Sequence, residues 1–420
     1  MDNNFSKSSN EWSDVCLDKF IKVKHGYAFK GKYITTEETP HILVTPGNFH
    51  IGGGFKSNKF KYYTDDYPEE YILKNGDIVV TMTDLSKESD TLGYSAKIPN
   101  SLNGKKYLHN QRIGLVEFKN EDIEPDFAYW LMRTRDYQGF IVGSASGTSI
   151  MHTSPTRICE YEFKLPPLPE QKAIAEVLSS LDDKIDLLHR QNETLEQMAQ
   201  TLFRQWFVEE ADDSWEYIKL SAIAEVKNGF AFRSKSYVDY IPECLEVFKM
   251  GHIERGGGLR QNPKKDFVPR EERLKRYILN KNDIVMAMTD MKDNVVILGV
   301  PAMIDKDNHY VLNQRVARIY LKSNDELISQ YLLYTQLNEK ENIAILQSKA
   351  NSGVQVNLST QTIKDIEVSI PPMRLQKEKG QTIIDLYEKK NINMFQIKTL
   401  EKLRDTLLPK LMSGELRVNL

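Results

Sequence analysis

The chain has 420 residues, of which 40% are hydrophobic and 27% charged, and its formal net charge is −3. These values fit a globular protein of two or three domains and argue against a disordered or fibrous chain. No apolar run reaches the ~18 residues that cross a bilayer, and the polar N-terminus lacks the pattern of a signal peptide. Three scattered cysteines form neither a disulfide frame nor a zinc pattern. We therefore expect a cytoplasmic protein with no metal site.

Most of the sequence occurs twice, with an offset of 203 to 206 residues and with the order of the motifs unbroken. So long a period excludes a solenoid, whose units run to roughly 20–50 residues. The pattern instead predicts two copies of one unit, each made of a globular domain and a linker. The recurring motifs are Trp12–Phe29 as Trp215–Phe232, Gly52–Gly54 as Gly256–Gly258, Asp77–Val79 as Asp283–Val285, Asn110–Arg112 as Asn313–Arg315, and Pro166-Pro167 as Pro371-Pro372.

Each copy is predicted to be a mixed α/β domain. In the first copy, the Asn-Gly turn within Lys74–Asp77 leads into a β-branched strand at Ile78–Val80. The second copy offers Asn280–Asp283, in which Asn tolerates the left-handed backbone that Gly permits. The triple glycines are interpreted as flexible turns, because no phosphate-binding Lys-Ser/Thr follows them. Further strands are predicted at Ile113–Phe118 and Val316–Leu321, and amphipathic helices at Asp126–Arg135 and Leu327–Asn338.

Two segments carry a heptad pattern too long for an ordinary globular helix. From Ile174 onward, apolar residues recur in steps of four and three, and Asn192 is the polar residue on this seam. The second segment keeps the seam but has Lys390, Asn393 and Arg404 in its middle. Pro409 is expected to end or kink the second helix near its C-terminus.

Opposite charges predict that the two long helices pair with each other. Residues 170–207 hold seven acidic and four basic side chains, whereas residues 374–412 hold nine basic and five acidic ones. Because each helix follows its own domain, the pairing would be antiparallel. The alternative is that each helix packs separately on its own domain. The positions predicted for helix pairing or partner docking are Glu170, Gln171, Leu178, Leu181, Ile185, Leu188, Asn192, Leu195, Gln376, Ile383, Leu386, Ile397 and Leu400.

The predicted fold is therefore mixed α/β, with two similar globular domains separated by two long antiparallel coiled-coil helices in a pseudo-two-fold arrangement. Such an arrangement suits a partner with two-fold symmetry of its own. The predicted boundaries place the first domain at residues 1–167, the central long helix at 168–208, the second domain at 209–373, and the C-terminal long helix and tail at 374–420.

The sequence offers no catalytic or cofactor-binding pattern. It contains no dinucleotide fingerprint, no phosphate-cradling GxxxxGK[ST] and no HExxH or Cys/His metal frame. Asp182-Asp183-Lys184 resembles the carboxylate–carboxylate–lysine set of a nuclease, but it lies on the heptad helix, where solvated charges are expected. The chain is therefore interpreted as a binding protein rather than a catalyst.

Basic residues interleaved with aromatic ones recur at matching places in both copies. Lys and Arg neutralise DNA phosphates, and Arg, Asn, Gln and Thr read base edges. Taken singly, each cluster is consistent with a solvated surface, and the recurrence favours DNA. The candidate DNA-binding residues are Lys24, Tyr27, Lys30, Lys56, Lys59, Lys61, Thr83, Asn110, Gln111, Arg112, Arg233, Lys235, Lys264, Lys265, Arg270, Arg273, Thr289, Asn313, Gln314 and Arg315.

Both copies share the Asn-Gln-Arg triplets and the pairs Thr83-Asp84 and Thr289-Asp290. Two domains that read different DNA sequences should agree at scaffold positions and differ at base-contacting ones. The triplets therefore favour a structural or phosphate-contacting role, and the Thr-Asp pairs favour a scaffold role. The divergent loops, at residues 33–70 and 237–277, are better candidates for base recognition.

Together these motifs resemble the specificity subunit of type I restriction–modification systems over essentially the whole chain. The second copy has Met373–Gln376 where the first has Leu168–Gln171, so Gln is kept and Glu is lost. The resemblance rests on Leu165–Gln171 at the start of the central helix, Ile370–Pro372, Gly76–Val79, the two Asn-Gln-Arg triplets and Leu411–Gly414.

The resemblance implies a non-catalytic subunit whose two target-recognition domains each read one part of a split double-stranded DNA sequence. It implies docking of two modification (methyltransferase) subunits on the helices, and recruitment of a restriction subunit that translocates and cuts DNA. S-adenosylmethionine, ATP and magnesium would then belong to those partners, with no cofactor in this chain.

Two alternatives remain open from the sequence. A self-contained methyltransferase or restriction enzyme would need an Asn/Asp-Pro-Pro-aromatic motif, but the Pro-Pro pairs here follow Leu165 and Ile370. A protein-interaction scaffold would use its globular halves to bind protein rather than DNA.

Overall fold

The computed structural model describes residues 12–418, except 58–59, 85, 87–88, 102, 148–149, 213–214, 261–262, 292–294, 323–328 and 353–354. The chain divides into two compact units. The first unit comprises Met1–Asp186 and Lys398–Leu420, and the second comprises Leu187–Ile397. Each unit therefore contains one globular domain, residues 12–165 or 215–370, together with parts of both long helices.

The first domain is a mixed α/β domain, as predicted. Its strands are β1 (Ser13–Cys16), β2 (Ile21–His25), β3 (Ile34–Thr35), β4 (His41–Val44), β5 (Lys61–Tyr63), β6 (Ile72–Leu73), β7 (Ile78–Thr81), β8 (Thr83–Asp84), β9 (Ser95–Lys97), β10 (Lys106–His109), β11 (Ile113–Phe118), β12 (Met151–His152) and β13 (Glu162–Leu165), and its helices are α1 (Pro125–Leu131), α2 (Arg135–Gly143) and α3 (Pro155–Cys159).

Two sheets form most of the first domain. One is antiparallel, in the order β2-β11-β7-β9, and the other has the order β3-β5-β4-β10-β6 with β4 and β10 parallel. Strand β7 is buried along its whole length, which explains its run of apolar and β-branched residues. Two short pairs, β1-β13 and β8-β12, complete the strand pairing.

The second domain repeats this plan after the long helix α4 (Leu168–Arg204). Its antiparallel sheet has the order β15-β22-β18-β20, and its other main sheet, β17-β16-β21, again contains a parallel pair, β16 with β21. The elements are β14 (Glu216–Lys219), α5 (Leu220–Ile223), β15 (Ala224–Asn228), β16 (Leu245–Phe248), β17 (Phe267–Val268), β18 (Ile284–Ala287), β19 (Thr289–Met291), β20 (Pro301–Met303), β21 (Tyr310–Leu312), β22 (Val316–Leu321), α6 (Gln330–Leu337), α7 (Lys340–Ser348), β23 (Asn351–Ser352), β24 (Gln355–Asn357), α8 (Thr360–Lys364) and β25 (Glu367–Ile370).

The predicted strands are confirmed, and the turn that precedes β7 and β18 is the same in both domains. Gly76 and Asn282 both have positive φ, at 83° and 68°. The Asp77 carboxylate accepts the Lys74 N–H at 2.7 Å, and Asp283 repeats this turn in the second domain. The Asn-Gly pair therefore correctly predicted a turn with a left-handed residue before the strand.

Two predicted helices differ from the structure at their ends. The helix expected at Asp126–Arg135 ends at Leu131, and a new helix begins at Arg135, because the Thr134 hydroxyl caps it by accepting the Tyr137 N–H. The helix expected at Leu327–Asn338 covers Gln330–Leu337, and Leu327 itself lies outside the described residues.

The triple glycines form turns, as predicted, and these turns need a left-handed backbone. All three residues of Gly52–Gly54 have positive φ, between 85° and 92°, and Gly256–Gly258 repeat this. A Cβ on Gly53 would stand 2.6 Å from Cγ of Arg133, so there is also no room for a side chain at this position. Glycine is used here because L side chains avoid this backbone region.

The long helices have the predicted extents, apart from the effect of Pro409. Helix α4 continues into a π turn at Gln205–Glu209, and α9 (Met373–Leu375) leads through a π turn into α10 (Gln381–Ser413). Pro409 was expected to end or kink the helix near its C-terminus, and it does not end it, since α10 continues to Ser413. Burial of Leu411 and Met412 holds this last turn despite the hydrogen bond that proline removes.

The long helices pair antiparallel within each unit. In the first unit, Asp182 of α4 contacts Arg404 of α10. In the second unit, Asn192 contacts Asn393, and further along α4 Glu196 contacts Lys390, which lies earlier in α10. Residue numbers therefore fall along α10 as they rise along α4, which defines an antiparallel pair.

Each unit also packs both helices against its own domain, so the two alternatives for the helices are not exclusive. The core of the first domain includes Leu178 of α4 and Leu411 of α10. The core of the second domain includes Phe203 of α4 and Ile383 of α10. No helix among the described residues is long and apolar enough to cross a membrane.

Candidate nucleic-acid interface

In each domain a glycine lets an aromatic residue lie against the Asn-Gln-Arg loop. In the first domain, the Tyr27 N–H donates to His109 O at 2.8 Å, and the Gln111 N–H donates to Tyr27 O at 2.9 Å. A Cβ on Gly26 would stand 2.2 Å from Asn110 O, so no other residue fits this close approach. The ring at position 27 is thereby held beside the loop.

The second domain repeats this contact with different side chains. The Phe230 N–H donates to Leu312 O at 2.8 Å, and the Gln314 N–H donates to Phe230 O at 3.1 Å. A Cβ on Gly229 would again stand 2.2 Å from the carbonyl oxygen of Asn313. The loop and its neighbouring ring are therefore built by the same backbone in both domains.

The asparagines of the two triplets have a structural role. Asn110 and Asn313 are buried, and the side-chain oxygen of each accepts the backbone N–H two residues on, from Arg112 at 3.0 Å and from Arg315 at 3.1 Å. These bonds shape the loop. The exposed members of the triplets are Gln111, Arg112, Gln314 and Arg315.

Thr83 and Thr289 are buried and bonded inside their domains. Thr83 Oγ1 lies 3.1 Å from Nδ1 of His152, and the Thr289 hydroxyl donates to Oδ1 of Asn357 at 3.0 Å. The adjacent Asp84 accepts the Thr91 N–H at 2.6 Å. Both threonines and both triplet asparagines are therefore buried and bonded inside their domains, and this favours a scaffold role.

An aromatic pair stands beside the loop in the first domain. The rings of Tyr27 and Tyr71 are 5.3 Å apart, and Nζ of Lys24 lies 5.0 Å from the centre of the Tyr71 ring. Lys24 also pairs with Glu70 at 3.3 Å. Its charge is therefore partly compensated by an acid.

The corresponding pair in the second domain is surrounded by arginines. The rings of Phe230 and Tyr277 are 5.5 Å apart. The guanidinium of Arg273 lies 5.5 Å from the Phe230 ring, and that of Arg276 lies 4.7 Å from the Tyr277 ring. Each domain thus places a ring pair, a cation and an exposed Gln-Arg pair together.

The other predicted basic residues lie on exposed surface, with two exceptions. Lys56 is half-buried, with its backbone N–H donating to Asn48 O at 2.7 Å, and Lys59 lies outside the described residues. The exposed ones are Lys30, Lys61, Arg233, Lys235, Lys264, Lys265, Arg270 and Arg273.

His109, at the end of β10, is a buried neutral histidine whose ring bonds to the residue that follows the Asn-Gln-Arg loop. Its Nε2 lies 2.8 Å from Ile113 O. Burial lowers the pKa of His109 to about 4. Since an unfolded histidine has a pKa near ~6.5, the neutral ring stabilises the fold above that pH. This contribution is lost as the pH falls from about 6.5 toward 4.

We expect His109→Leu to weaken the acid sensitivity of the first domain. Leu312 stands at this position in the second domain, so the change fits the backbone. The variant should lose the bond to Ile113 at pH 7, but it should avoid the roughly 2 kcal/mol that the wild-type domain loses between pH 7 and 5. Urea unfolding of both proteins at the two pH values measures this difference. Equal pH dependence of the two would contradict it.

The second domain has a buried carboxylate bonded to two histidines at the corresponding sheet. Glu246 accepts hydrogen bonds from His252 at 3.0 Å and His309 at 3.1 Å. Burial alone would raise the pKa of Glu246, but these two bonds lower it to about 2. The carboxylate is therefore ionised at any ordinary pH. Among the described residues no group of His, Cys, Asp and Glu side chains could hold a metal ion.

The helix-pairing positions all lie in the packed part of the units. Asn192 and Asn393 are buried and share a hydrogen bond of 3.0 Å from Nδ2 of Asn393 to Oδ1 of Asn192. Such a polar pair costs stability but discriminates between registers, because a shifted helix would bury each amide alone. The buried positions are Glu170, Gln171, Leu178, Ile185, Leu188, Asn192, Gln376, Ile383 and Ile397, and the half-buried ones are Leu181, Leu195, Leu386 and Leu400.

Ion pairs flank the apolar seam in each unit. In the first unit, the Asp182 carboxylate accepts hydrogen bonds from Arg133 at 2.5 Å and from Arg404 at 2.6 Å. Burial raises the pKa of Asp182, but the two guanidinium groups outweigh it and lower the pKa below its ordinary value. In the second unit, Glu196 pairs with Lys390 at 2.7 Å.

The shared glutamine closes the start of each long helix. The Gln171 amide donates to Pro166 O at 2.9 Å, and the Gln376 amide donates to Pro371 O at 2.7 Å. In both copies the acceptor is the first proline of the Pro-Pro pair. The glutamine therefore fixes the angle at which the chain leaves the domain.

The glutamate that only the first copy keeps has a different role. Glu170 is buried, and it accepts a hydrogen bond from Nε1 of Trp12 at 3.1 Å and another from Nη2 of Arg417 at 2.7 Å. It ties both ends of the described chain to the first unit. In the second copy Leu375 stands there and packs against the apolar core instead.

Comparison with known proteins decides the family. A family model described as the type I restriction modification DNA specificity domain matches residues 9–197 and again residues 212–402. The chain belongs to this family. It is a type I restriction–modification specificity subunit with two DNA specificity domains, rather than one of the catalytic subunits of such a system. The predicted family, fold class and non-catalytic role are confirmed.

Relatives match this specificity subunit over nearly its whole length. The specificity subunit of the type I restriction enzyme MjaVIII from Methanocaldococcus jannaschii is 23% identical, with 97% of this chain and 93% of that protein covered. That of EcoBI from Escherichia coli is 22% identical, with 97% and 86% covered. The crystal structure of a type I S subunit from M. genitalium has a TM-score of 0.54 at 19% identity, covering 98% and 99%, and shares the fold.

Sequence reasoning missed the ion pairs of the specificity subunit. Asp182 was expected to be solvated on its helix, but it is partly buried between two arginines. The available signal was the second helix, whose seam carries Lys390, Asn393 and Arg404. Polar groups on a packed seam require partners, and those partners are Glu196, Asn192 and Asp182.

Proposed function

We propose that this specificity subunit reads a two-part sequence in double-stranded DNA, with one domain on each part. The observation that carries the proposal is the recurrence of one arrangement in both domains: an exposed Gln-Arg pair beside two aromatic rings in contact and a cation. Arg and Gln have the donors and acceptors that read base edges in the major groove. Lys and Arg beside them neutralise phosphates.

The two domains share this backbone but differ in the side chains around it. Tyr27 in the first domain corresponds to Phe230 in the second. The cation over the ring pair of the first domain is Lys24, which is paired with Glu70, whereas Arg273 and Arg276 lie over the ring pair of the second domain. A common frame with different surface side chains supports the reading of two different half-sites. It does not favour one shared protein ligand, for which the two surfaces would be alike.

The modification subunits are proposed to dock on the long helices. Ile392 and Phe395 lie one turn apart on α10 and are 53% and 73% exposed. Leu187 and Met198 of α4 are 40% and 46% exposed. Exposed apolar side chains on a helix of this kind are typical of a protein interface. S-adenosylmethionine, ATP and magnesium would be bound by the partner subunits.

The proposal is tested by mapping the methylated DNA. The chain is co-expressed with the modification subunit of its own system, and methylated bases are located across the host genome. We expect one motif with two defined parts and an unread spacer. A motif with a single continuous part, or methylation unchanged when the chain is left out, would contradict the proposal.

The same assay tests whether the helices set the spacer. Removing residues 185–191 and 394–400 deletes one heptad from each helix and keeps the antiparallel register. About 10 Å of helix is lost, on the order of three base pairs of B-DNA. The preferred spacer should shorten by that amount while both half-sites stay the same. Deletion from one helix alone is the control, and it should abolish activity.

A further inference from the structure

One segment of each domain occupies the same place but carries a different charge. In the first domain this segment is residues 61–77, and its Tyr62 pairs with Ile42 of β4. In the second domain it is residues 266–283, and its Phe267 pairs with Glu246 of β16. Strands β4 and β16 are each the first strand of a parallel pair. The first segment holds two basic and five acidic residues, and the second holds five basic and four acidic ones. The net charge therefore changes from −3 to +1.

In the second domain this segment borders an open groove of about 580 Å³. The Arg270 guanidinium donates to the carbonyl oxygen of Asn308 at 2.7 Å, and Arg276 contacts the hydroxyl and ring of Tyr277. Both partners are neutral, so neither of these contacts compensates the positive charge of the arginine. The basic side chains along the groove are Arg270, Lys275, Arg276 and Arg318.

The acids of the groove are occupied by other cations. Glu271 pairs with Arg273 at 2.5 Å, and Glu272 pairs with Lys275 at 2.8 Å. Their charges are therefore balanced without Arg270 or Arg276. In the first domain, by contrast, the cation beside the ring pair is compensated, because Lys24 forms an ion pair with Glu70. The groove of the second domain has a surplus of positive charge, and the matching place in the first domain does not.

The position of the groove identifies its occupant as duplex DNA rather than an acidic protein. Tyr277, which Arg276 contacts, lies 5.5 Å from Phe230, and Phe230 O accepts the Gln314 N–H at 3.1 Å. The groove is thus continuous with the proposed base-reading loop. A bound duplex that presents bases to this loop also presents phosphates to the neighbouring cations.

We propose that the two recognition domains contribute unequally to DNA affinity, and that the second domain supplies the larger share of the phosphate contacts through Arg270 and Arg276. This inference rests on the proposed function. The second half-site is then held mainly by charge, which is independent of sequence. The first half-site depends more on base contacts.

Salt dependence of binding tests the inference. The full-length chain is titrated against a random duplex of about 40 base pairs between roughly 50 and 200 mM salt, because phosphate binding needs no specific sequence. For R270Q/R276Q we expect the slope of log affinity against log salt to fall by about 2. For K30Q/K61Q, two exposed lysines of the first domain, the slope should fall by less than about 1.

Charge-keeping variants exclude a purely structural effect. R270K/R276K should retain the wild-type slope, because lysine neutralises a phosphate as a point charge. An equal or larger loss in K30Q/K61Q, or a lost slope in R270K/R276K, would overturn the inference while leaving DNA binding intact. No salt-dependent binding by the wild-type chain would instead count against the proposed function itself.

Discussion

Gly26→Ala should unfold or severely loosen the first domain. The new Cβ would stand 2.2 Å from the carbonyl oxygen and 2.3 Å from the carbonyl carbon of Asn110. These are backbone atoms, so no side-chain rotation relieves the clash, and β2 must move away from the Asn-Gln-Arg loop. We expect a loss of at least about 3 kcal/mol in the free energy of unfolding. Urea unfolding of the purified chain measures it.

Gly31→Ala is the matched control, since a Cβ there meets no atom within 4 Å and the backbone is not left-handed. It should change stability by less than about 0.5 kcal/mol. Gly229→Ala should reproduce the large effect in the second domain, where the distance to the Asn313 oxygen is also 2.2 Å. A stable Gly26→Ala protein that still directs its modification subunit to the normal motif would refute the role given to this contact.

Asp182→Asn should strongly destabilise the first unit. The carboxylate is bonded to both Arg133 and Arg404, and the Arg133 side chain is only 5% exposed. Without the negative charge, two nearby guanidinium groups would repel each other in a partly buried place. Breaking a buried ion pair from one side costs about 3–5 kcal/mol. Thermal and urea unfolding of the variant should show a loss in this range.

The neighbouring Asp183 provides a control on the same helix. It is exposed, and Asp183→Asn changes the net charge by the same amount. It should shift stability by less than about 0.5 kcal/mol. An acid titration separates the two residues further. Because the folded pKa of Asp182 is lowered, its contribution is present above the unfolded pKa and is lost as pH falls below about 4. Equal effects of the two substitutions would contradict this assignment.

Patterns with a short period could be predicted from the sequence. The strands Ile113–Phe118 and Val316–Leu321 have the predicted bounds, and the turn before β7 adopts the left-handed backbone that its Asn-Gly signal indicates. The seam of the long helices is equally local, since it depends on residues three and four apart. Asn192 could be recognised as its polar member, but its partner could not.

Burial of polar side chains could not be predicted from the sequence. Asn110 and Thr83 were candidate DNA contacts because asparagine and threonine can read bases, but both are buried. Composition cannot separate a polar residue that binds a partner from one that bonds inside the domain. Their recurrence in both copies was the better signal, and it favoured a scaffold role.

The sequence alone determined the duplication and the strand and helix patterns, because these depend on spacing along the chain, and the family was indicated by the resemblance of its motifs. The tertiary structure decided which groups meet across more than a hundred residues: Glu170 with Arg417, Asp182 with Arg404, and Asn192 with Asn393. It also decided that Arg270 and Arg276 contact neutral groups, whereas the nearby acids Glu271 and Glu272 pair with other cations. The physical reason is that burial and charge compensation depend on neighbours in space, which are set only when helices and sheets pack.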